Sequence, residues 1–309
     1  MINLYVDPKK IPMRWRTFQA HARPRSIALD GYVSEGPRFN PEGPWANFNH
    51  HDGVSRLETR ATCAQVLMAL RQGLVEAFSD ETGAFDASVF VNDCDEDVCL
   101  SITLLRHAHL VTGVMNPLVN RLVFMEDMLD TTAGAYPFPR NLGALHQVMW
   151  VFNPYHRFRA SGQLDHRNAR EFAQVILDVE QRVLAYVAGK ADNIELDTRY
   201  DVVAQHTGWV MVREIGVNAR LGVFAGGNKA FVVVRELPNG RYGYVICRSS
   251  QFVPFPIPKF RARLNEAEGP TIGDLWGGGD FVIGSPRVSG SRLTPKEVTE
   301  IIERTLASR

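Results

Sequence analysis

The sequence predicts an α/β protein in two domains, a parallel sheet in the first and a smaller mixed sheet in the second. Three observations carry this. At 309 residues the chain is long enough for two cores. Its first half sets short apolar runs beside stretches of helical periodicity, the pattern of strands and covering helices. Its second half is strand-rich and contains an Asn-Gly turn between apolar runs, a hairpin signal.

Residues 1–25 are mixed and basic; an extra strand or an arm over the core is one reading, and a solvated surface segment is expected over a binding arm. Ile27, Ala28 and Leu29 form a short apolar run that ends in Asp30. A Gly/Pro-rich loop then delivers Asn49, His50, His51 and Asp52. Arg56 to Phe78 has helical apolar spacing, with Ser55 and Glu58 as a capping box. Ala87 to Val91 is continuously apolar, as suits a buried parallel strand, and runs into Asn92-Asp93-Cys94-Asp95-Glu96-Asp97. Val98 to Leu110 is expected to be helical. Asn120 to Gly134 holds Glu126, Asp127 and Asp130 beside an apolar side. Gly143 to Phe152 is expected as a helix, and Asn153 to Gly162, with Pro154, as a loop. Arg167 to Val187 is strongly amphipathic. These readings place a first domain at 1–165, a connecting helix and linker at 166–200 and a second domain at 201–309.

In the second domain, Trp209 to Val212 and Ala230 to Val234 are strand candidates. Asn239-Gly240 turns the chain, and Arg241 to Cys247 returns. Trp276-Gly277-Gly278-Gly279-Asp280 is a glycine-rich turn, and Thr294-Pro295 opens a last helix with Pro at its first position.

Composition excludes several classes. With 34 basic and 34 acidic side chains, the chain is not one that coats long nucleic acid by charge alone. The four cysteines Cys63, Cys94, Cys99 and Cys247 form no CxxC pair, which argues against a zinc ribbon. No signal peptide and no membrane-length apolar run is present, so the expectation is a soluble protein of a reducing cytoplasm. The GxSxG elbow, the GxGxxG fingerprint and the Walker loop are absent. Cys94 and Cys99 lie among carboxylates, which raise a thiol's pKa and disfavour a nucleophilic role.

What remains is metal chemistry. Asp30 at a strand end, with His50 and His51 after a loop, offers carboxylate and imidazole ligands that suit divalent ions such as Mn²⁺ or Zn²⁺. Asp93, Asp95 and Asp97 alternate directly after an apolar strand. In extended geometry residues two apart point the same way, and three converging carboxylates repel each other unless a cation lies between them. An EF-hand is excluded, because Val98 and Leu104 stand where its loop needs Gly and Glu. Asp127 or Asp130 would complete the set for two ions, which can activate water and steady the leaving oxygen of a phosphoester. His51, beside a ligand, is expected to contact phosphate or to donate a proton.

These residues resemble the DHH phosphoesterase superfamily. Asn49-His50-His51 with Asp30 upstream is similar to the family's Asp-His-His motif and the aspartate before it. Asp93-x-Asp95-x-Asp97 is similar to its His-x-x-x-Asp-x-Asp signature. Trp276 to Asp280, with the Arg248-Ser249 pair upstream, resembles the Gly-Gly-Gly-His motif of the accessory DHHA1 domain. The chain departs from the pattern at Asn49, Val91 and Asp280 and in the order of its motifs. The resemblance spans about Ser26 to Thr305.

It implies a DHH-like first domain holding one or two Mn²⁺-like ions through Asp30, His50, Asp93, Asp95, Asp97 and Asp127 or Asp130, with Asn49 and His51 as catalytic positions. It implies a DHHA1-like second domain gripping substrate through Arg248, Ser249, Gly277, Gly278, Gly279 and Asp280. Backbone amides of the glycines would cradle a phosphate, and Arg248 would pair with another. The expected activity is metal-dependent hydrolysis of a phosphoester in a small nucleotide-like or short single-stranded substrate. The alternatives are a catalytically degenerate nucleotide-binding protein and another metal-dependent hydrolase on this scaffold. The expected partners are that substrate and a second copy of the chain, with no membrane.

Overall fold

The computed structural model describes residues 1–55, 58–114, 116–269 and 274–308. The described chain is mixed α/β with two sheets, and it divides into two compact units. The first comprises Met1–Thr131 and Gly143–Ile194; the second comprises Thr132–Leu142 and Glu195–Arg309. The helix expected as the connection therefore lies inside the first unit, and residues 132–142 group with the second. Among the described residues no helix is long and apolar enough to cross a membrane.

The first unit contains β1 (Ile2–Val6), α1 (Trp15–His21), β2 (Ser26–Leu29), β3 (Arg38–Asn40), β4 (Trp45–Phe48), α2 (Thr62–Arg71), α3 (Leu74–Ala77), β5 (Ala87–Val91), α4 (Glu96–Arg106), α5 (His109–Thr112), α6 (Pro117–Thr131), α7 (Gly143–Ala160) and α8 (Ala169–Val187). The sheet order is β1-β5-β2-β4-β3. β1, β5, β2 and β4 pair parallel to their neighbours, and β3 pairs antiparallel to β4. The basic segment at the start of the chain thus supplies an edge strand, as its extra-strand reading has it, and a covering helix rather than a solvated segment. Trp15 and Phe18 of α1 bury themselves against Ala28, and Phe90 of β5 stacks on Tyr5 of β1. β2 is buried along its whole length, which explains its unbroken apolar run.

Three helix expectations change. The helix expected from Arg56 begins only at Thr62, because the amides of Thr62 and Cys63 turn to the Asp97 carboxylate. Arg56 and Leu57 of that expectation lie outside the described residues. Ser55 and Glu58 form a turn instead of a cap, the Glu58 amide donating to the Ser55 carbonyl at 3.0 Å. The same expected helix breaks at Gly73, whose φ of 102° favours glycine.

The loop expected at 153–162 is instead helical to Ala160, with Pro154 inside α7. A proline there frees the carbonyl four residues back, that of Trp150. Arg182 of α8 donates to that carbonyl and lies over the Trp150 ring at 4.8 Å. α8 itself follows from its stripe of Phe172, Val175, Ile176, Val179, Val183 and Tyr186, all buried, with Asn168 capping the Arg170 amide. Each such side chain contributes about 1.5–3 kcal/mol, more than the ~1 kcal/mol of the cap.

The second unit contains β6 (Tyr200–His206), β7 (Trp209–Glu214), α9 (Ala219–Ala225), β8 (Ala230–Glu236), β9 (Tyr242–Arg248), α10 (Ile257–Glu268), β10 (Gly277–Gly278), β11 (Val282–Gly284) and α11 (Pro295–Ala307). Its sheet order is β10-β11-β9-β8-β7-β6, antiparallel except for β7 with β8. Strand alternation sorts its core. Trp209, Met211 and Val232 join Phe260 of α10 and Val298 and Ile302 of α11, while Val210, Val212 and Val233 join Val223 and Phe224 of α9. β8 and β9 form the hairpin expected around Asn239-Gly240. α11 opens with Pro295 and a full Thr294–Glu297 capping box.

Candidate metal centre

The first unit brings residues from three strand ends together. Asp30 directly follows β2, His50 and His51 follow β4, and Asp93 to Asp97 follow β5. β2 is the neighbour of both β4 and β5, so all three connections emerge at one edge of the sheet.

Asp30 sits at φ 45°, a left-handed conformation uncommon for a residue with a Cβ. Aspartate tolerates it better than most, at about 1–2 kcal/mol. This turn stops β2 and aims a buried carboxylate at the loop after β4. Asp30 Oδ1 lies 3.0 Å from His51 Nε2 and 3.4 Å from His50 Nε2. It also accepts the Thr62 hydroxyl at 3.0 Å.

His50 is buried and faces three carboxylates. Its Nε2 is 2.8 Å from Asp130 Oδ2, 3.4 Å from Asp30 Oδ1 and 3.7 Å from Asp97 Oδ2. Neither ring nitrogen makes a hydrogen bond, and Asp130 Oδ2 is likewise buried and unbonded. Two sets of potential ligand atoms result, Asp30/His50/His51 and His50/Asp97/Asp130, each within 4.8 Å. They share His50.

Asp97 is the most firmly held of these carboxylates. Its Oδ2 accepts the Thr62 amide at 2.7 Å and its Oδ1 the Cys63 amide at 2.6 Å, so the first turn of α2 rests on it. Each oxygen keeps a further lone pair.

Burial and the neighbouring charges set the protonation of the metal-free cluster. Burial raises the Asp30 carboxyl, but the two imidazoles, His51 first, outweigh it and hold the group well below the usual range. Burial lowers His50, yet its interactions with Asp130 and Asp30 lift it to about 10. Burial and then the negative charges of Asp130 and Asp30 push Asp97 up to about 7. The proton on His50 therefore does part of what a cation would do, and a metal ion must displace it.

The other expected site residues take different places. Asn49 is fully buried, its amide donating to the carbonyls of Val33 and Glu35 at 3.1 and 3.0 Å. Its Oδ1 accepts the His51 amide at 3.0 Å, so its side chain shapes the loop that presents the histidines. Asp95 caps α4, accepting the Val98 amide at 3.0 Å, and Asp93 accepts the Cys94 amide at 2.7 Å. Asp97 is already in the first helical turn, so extended alternation does not hold across Asp93, Asp95 and Asp97. Burial raises both Asp93 and Asp95, and the charge of Asp30 adds to it in each. Asp127 is buried but turns to Arg60 and to the Ala61 amide rather than to His50.

In the second unit, Arg248 Nε donates to the Asp280 carbonyl at 2.9 Å. Ser249 follows, its amide on the Lys229 carbonyl at 2.8 Å. Gly277 and Gly278 form β10. At Gly278, with φ 123°, a Cβ would meet the Val282 carbonyl oxygen at 2.4 Å, so only glycine fits. The Gly279 amide already donates to the Val282 carbonyl at 2.9 Å, and Arg261 donates to the Gly278 carbonyl at 2.6 Å. The glycine turn is thus a closed hairpin, with Gly277 paired to Gly284 in its ladder and the Gly279 amide engaged inside it.

Thr62, Cys63 and Arg60 escape the sequence reading. A threonine just before an apolar helical stretch is a visible signal, but the carboxylates it meets come from Asp30 and Asp97, 32 and 35 residues away. The Glu96–His156 contact, 2.7 Å between side chains, is equally non-local.

A search with models of known protein families matches none to this chain, and a search of characterised proteins finds no match either.

Proposed function

We propose that this protein is a metal-dependent phosphoesterase of the DHH type, acting on a small nucleotide-like or short single-stranded substrate. The observation that carries this reading is His50. A buried imidazole with both nitrogens unbonded, facing Asp30, Asp97 and Asp130, is a ligand set short of its cation. Carboxylate and imidazole without thiolate favour Mn²⁺ or a similar divalent ion, one or two of them. Asp30, His50, Asp97 and Asp130 would hold it, with Asp93 and Asp95 close in charge. When bound, such ions supply an activated water and charge stabilisation at the phosphoryl oxygens.

The chain's own residues do the rest. Asp97, fixed by the Thr62 and Cys63 amides, holds the centre in register with α2. His51, with 38 % of its side chain exposed, is the imidazole that substrate can reach. Asp30 Oδ1, 3.0 Å from its Nε2, orients the ring, and this imidazole would be the proton donor to the leaving oxygen. Arg248 and the glycine turn belong to the substrate-binding part of the reading, in the DHHA1-like unit. Four buried, free thiols suit a reducing cytoplasm.

The test is hydrolysis of bis(p-nitrophenyl) phosphate and of short oligonucleotides with Mn²⁺. Turnover that EDTA abolishes, and that Asp97→Asn removes, is the expected result. Retained Mn²⁺ without product would favour the second reading, a degenerate nucleotide-binding protein. The Gly279 amide engaged within its own hairpin, beside the exposed Asp280, is the observation on that side.

A further inference from the structure

We infer that Arg60 is a phosphoryl-oxygen clamp of this centre, presenting one end of its guanidinium to the anionic group of the substrate. The inference rests on the phosphoesterase reading and adds a binding residue to it.

An anion approaching this edge of the sheet meets Asp30, Asp97 and Asp130, with Asp93 and Asp95 near enough to feel the charge of Asp30. Even with metal bound, a further cation is needed to hold a phosphate in one orientation. Arg60 is tied to these residues through Thr62 and Asp127. It lies two positions before Thr62, whose hydroxyl and amide reach Asp30 and Asp97. Its anchor, Asp127, is one turn before Asp130 on α6.

The anchoring is unlike an ordinary fork-to-fork pair. Arg60 Nε and Nη2 both donate to a single oxygen, Asp127 Oδ2, at 3.0 and 2.9 Å. The other oxygen is taken by the Ala61 amide at 2.8 Å. Asp127 is 2 % exposed while Arg60 is 51 % exposed, so the carboxylate is the fixed base and the guanidinium the presented group. Nη1 has no hydrogen-bond partner among the described residues. Pinned on its Nε side, the guanidinium is held in one plane with Nη1 and the second Nη2 proton left over. That is a preorganised donor pair for two oxygens of a phosphate.

The experiment uses the full chain loaded with Mn²⁺ and probed with inorganic phosphate, read by paramagnetic broadening of the ³¹P resonance. Metal content of each sample is measured alongside. Arg60→Gln and Asp127→Asn are expected to keep the wild-type Mn²⁺ content and to weaken phosphate binding by about 10–100-fold, the loss of a charge-assisted contact. Arg60→Lys, which keeps the charge without the fork, is expected to fall between, and it carries the test if Arg60→Gln does not fold. Unchanged phosphate affinity in a metal-loaded Arg60 variant would overturn the clamp and leave the phosphoesterase reading standing. Loss of metal in Arg60→Gln or Asp127→Asn would overturn it too, by making the pair a support of the centre. A wild type that retains no Mn²⁺ would overturn the phosphoesterase reading, and the clamp with it.

Discussion

His50 Nε2 lies 2.8 Å from Asp130 Oδ2, both atoms are buried, and neither has a hydrogen bond. While His50 holds a proton the contact is an ion pair; without that proton two buried acceptors face each other, at a cost of about 1–3 kcal/mol each. The arrangement makes sense as a ligand pair whose common partner is an ion.

Metal affinity should rise with pH. The metal-free His50 is lifted to about 10, so at neutral pH it carries a proton that the ion must displace. One displaced proton gives about tenfold tighter binding per pH unit, measured as the Mn²⁺ dissociation constant between pH 6.5 and 8.5. An affinity that does not change with pH would contradict His50 as a ligand.

Stability of the metal-free protein should move the other way. A His held above its unfolded value of 6.5 stabilises fully below that pH, and the contribution is lost as pH rises through about 10. Asp97, raised from 3.8 to about 7, favours its protonated form, so its contribution is likewise lost as pH rises from 3.8 to about 7. Both signs agree. The metal-free Tm should fall from pH 6 to pH 9, and added Mn²⁺ should raise it more at pH 9. A metal-free Tm that climbs over this interval would refute the assignment.

Thr62→Val keeps side-chain shape and removes the hydroxyl bonded to Asp30 Oδ1 at 3.0 Å. A hydrogen bond to a charged group contributes about 1.5–3 kcal/mol, and that loss is expected in urea unfolding of the metal-free chain. The Thr62 amide stays on Asp97, so the fold should persist. A change below about 0.5 kcal/mol would show that the hydroxyl does not hold Asp30.

Arg182 and Pro154 should be coupled. Arg182→Met leaves the Trp150 carbonyl unpaired, at an expected cost of about 1–3 kcal/mol. In a Pro154→Ala background the restored amide at position 154 reaches that carbonyl, so the same substitution should cost less. A double-mutant cycle on urea unfolding measures this, and additive effects would rule the coupling out.

What could be read in advance follows from how local each signal is. β5 and its acidic continuation were legible because an apolar run and the turn after it are contiguous. His50 and Asp30 were legible as candidates because each follows such a run or loop closely. The role of Asp127 was not, because its partner Arg60 is 67 residues away. Asp93, Asp95 and Asp97 alternate in sequence, but helix α4 begins at Glu96 and gives the three carboxylates separate tasks. Pro154 read as a loop because the arginine that satisfies the carbonyl it frees lies on another helix.

The most direct measurement is elemental analysis of the full chain after Mn²⁺ loading and desalting, wild type beside His50→Ala. The account predicts one or two ions per chain in the wild type and loss of at least one in the variant, since both ligand sets share His50. Equal metal content in the two proteins, or none in the wild type, would contradict it.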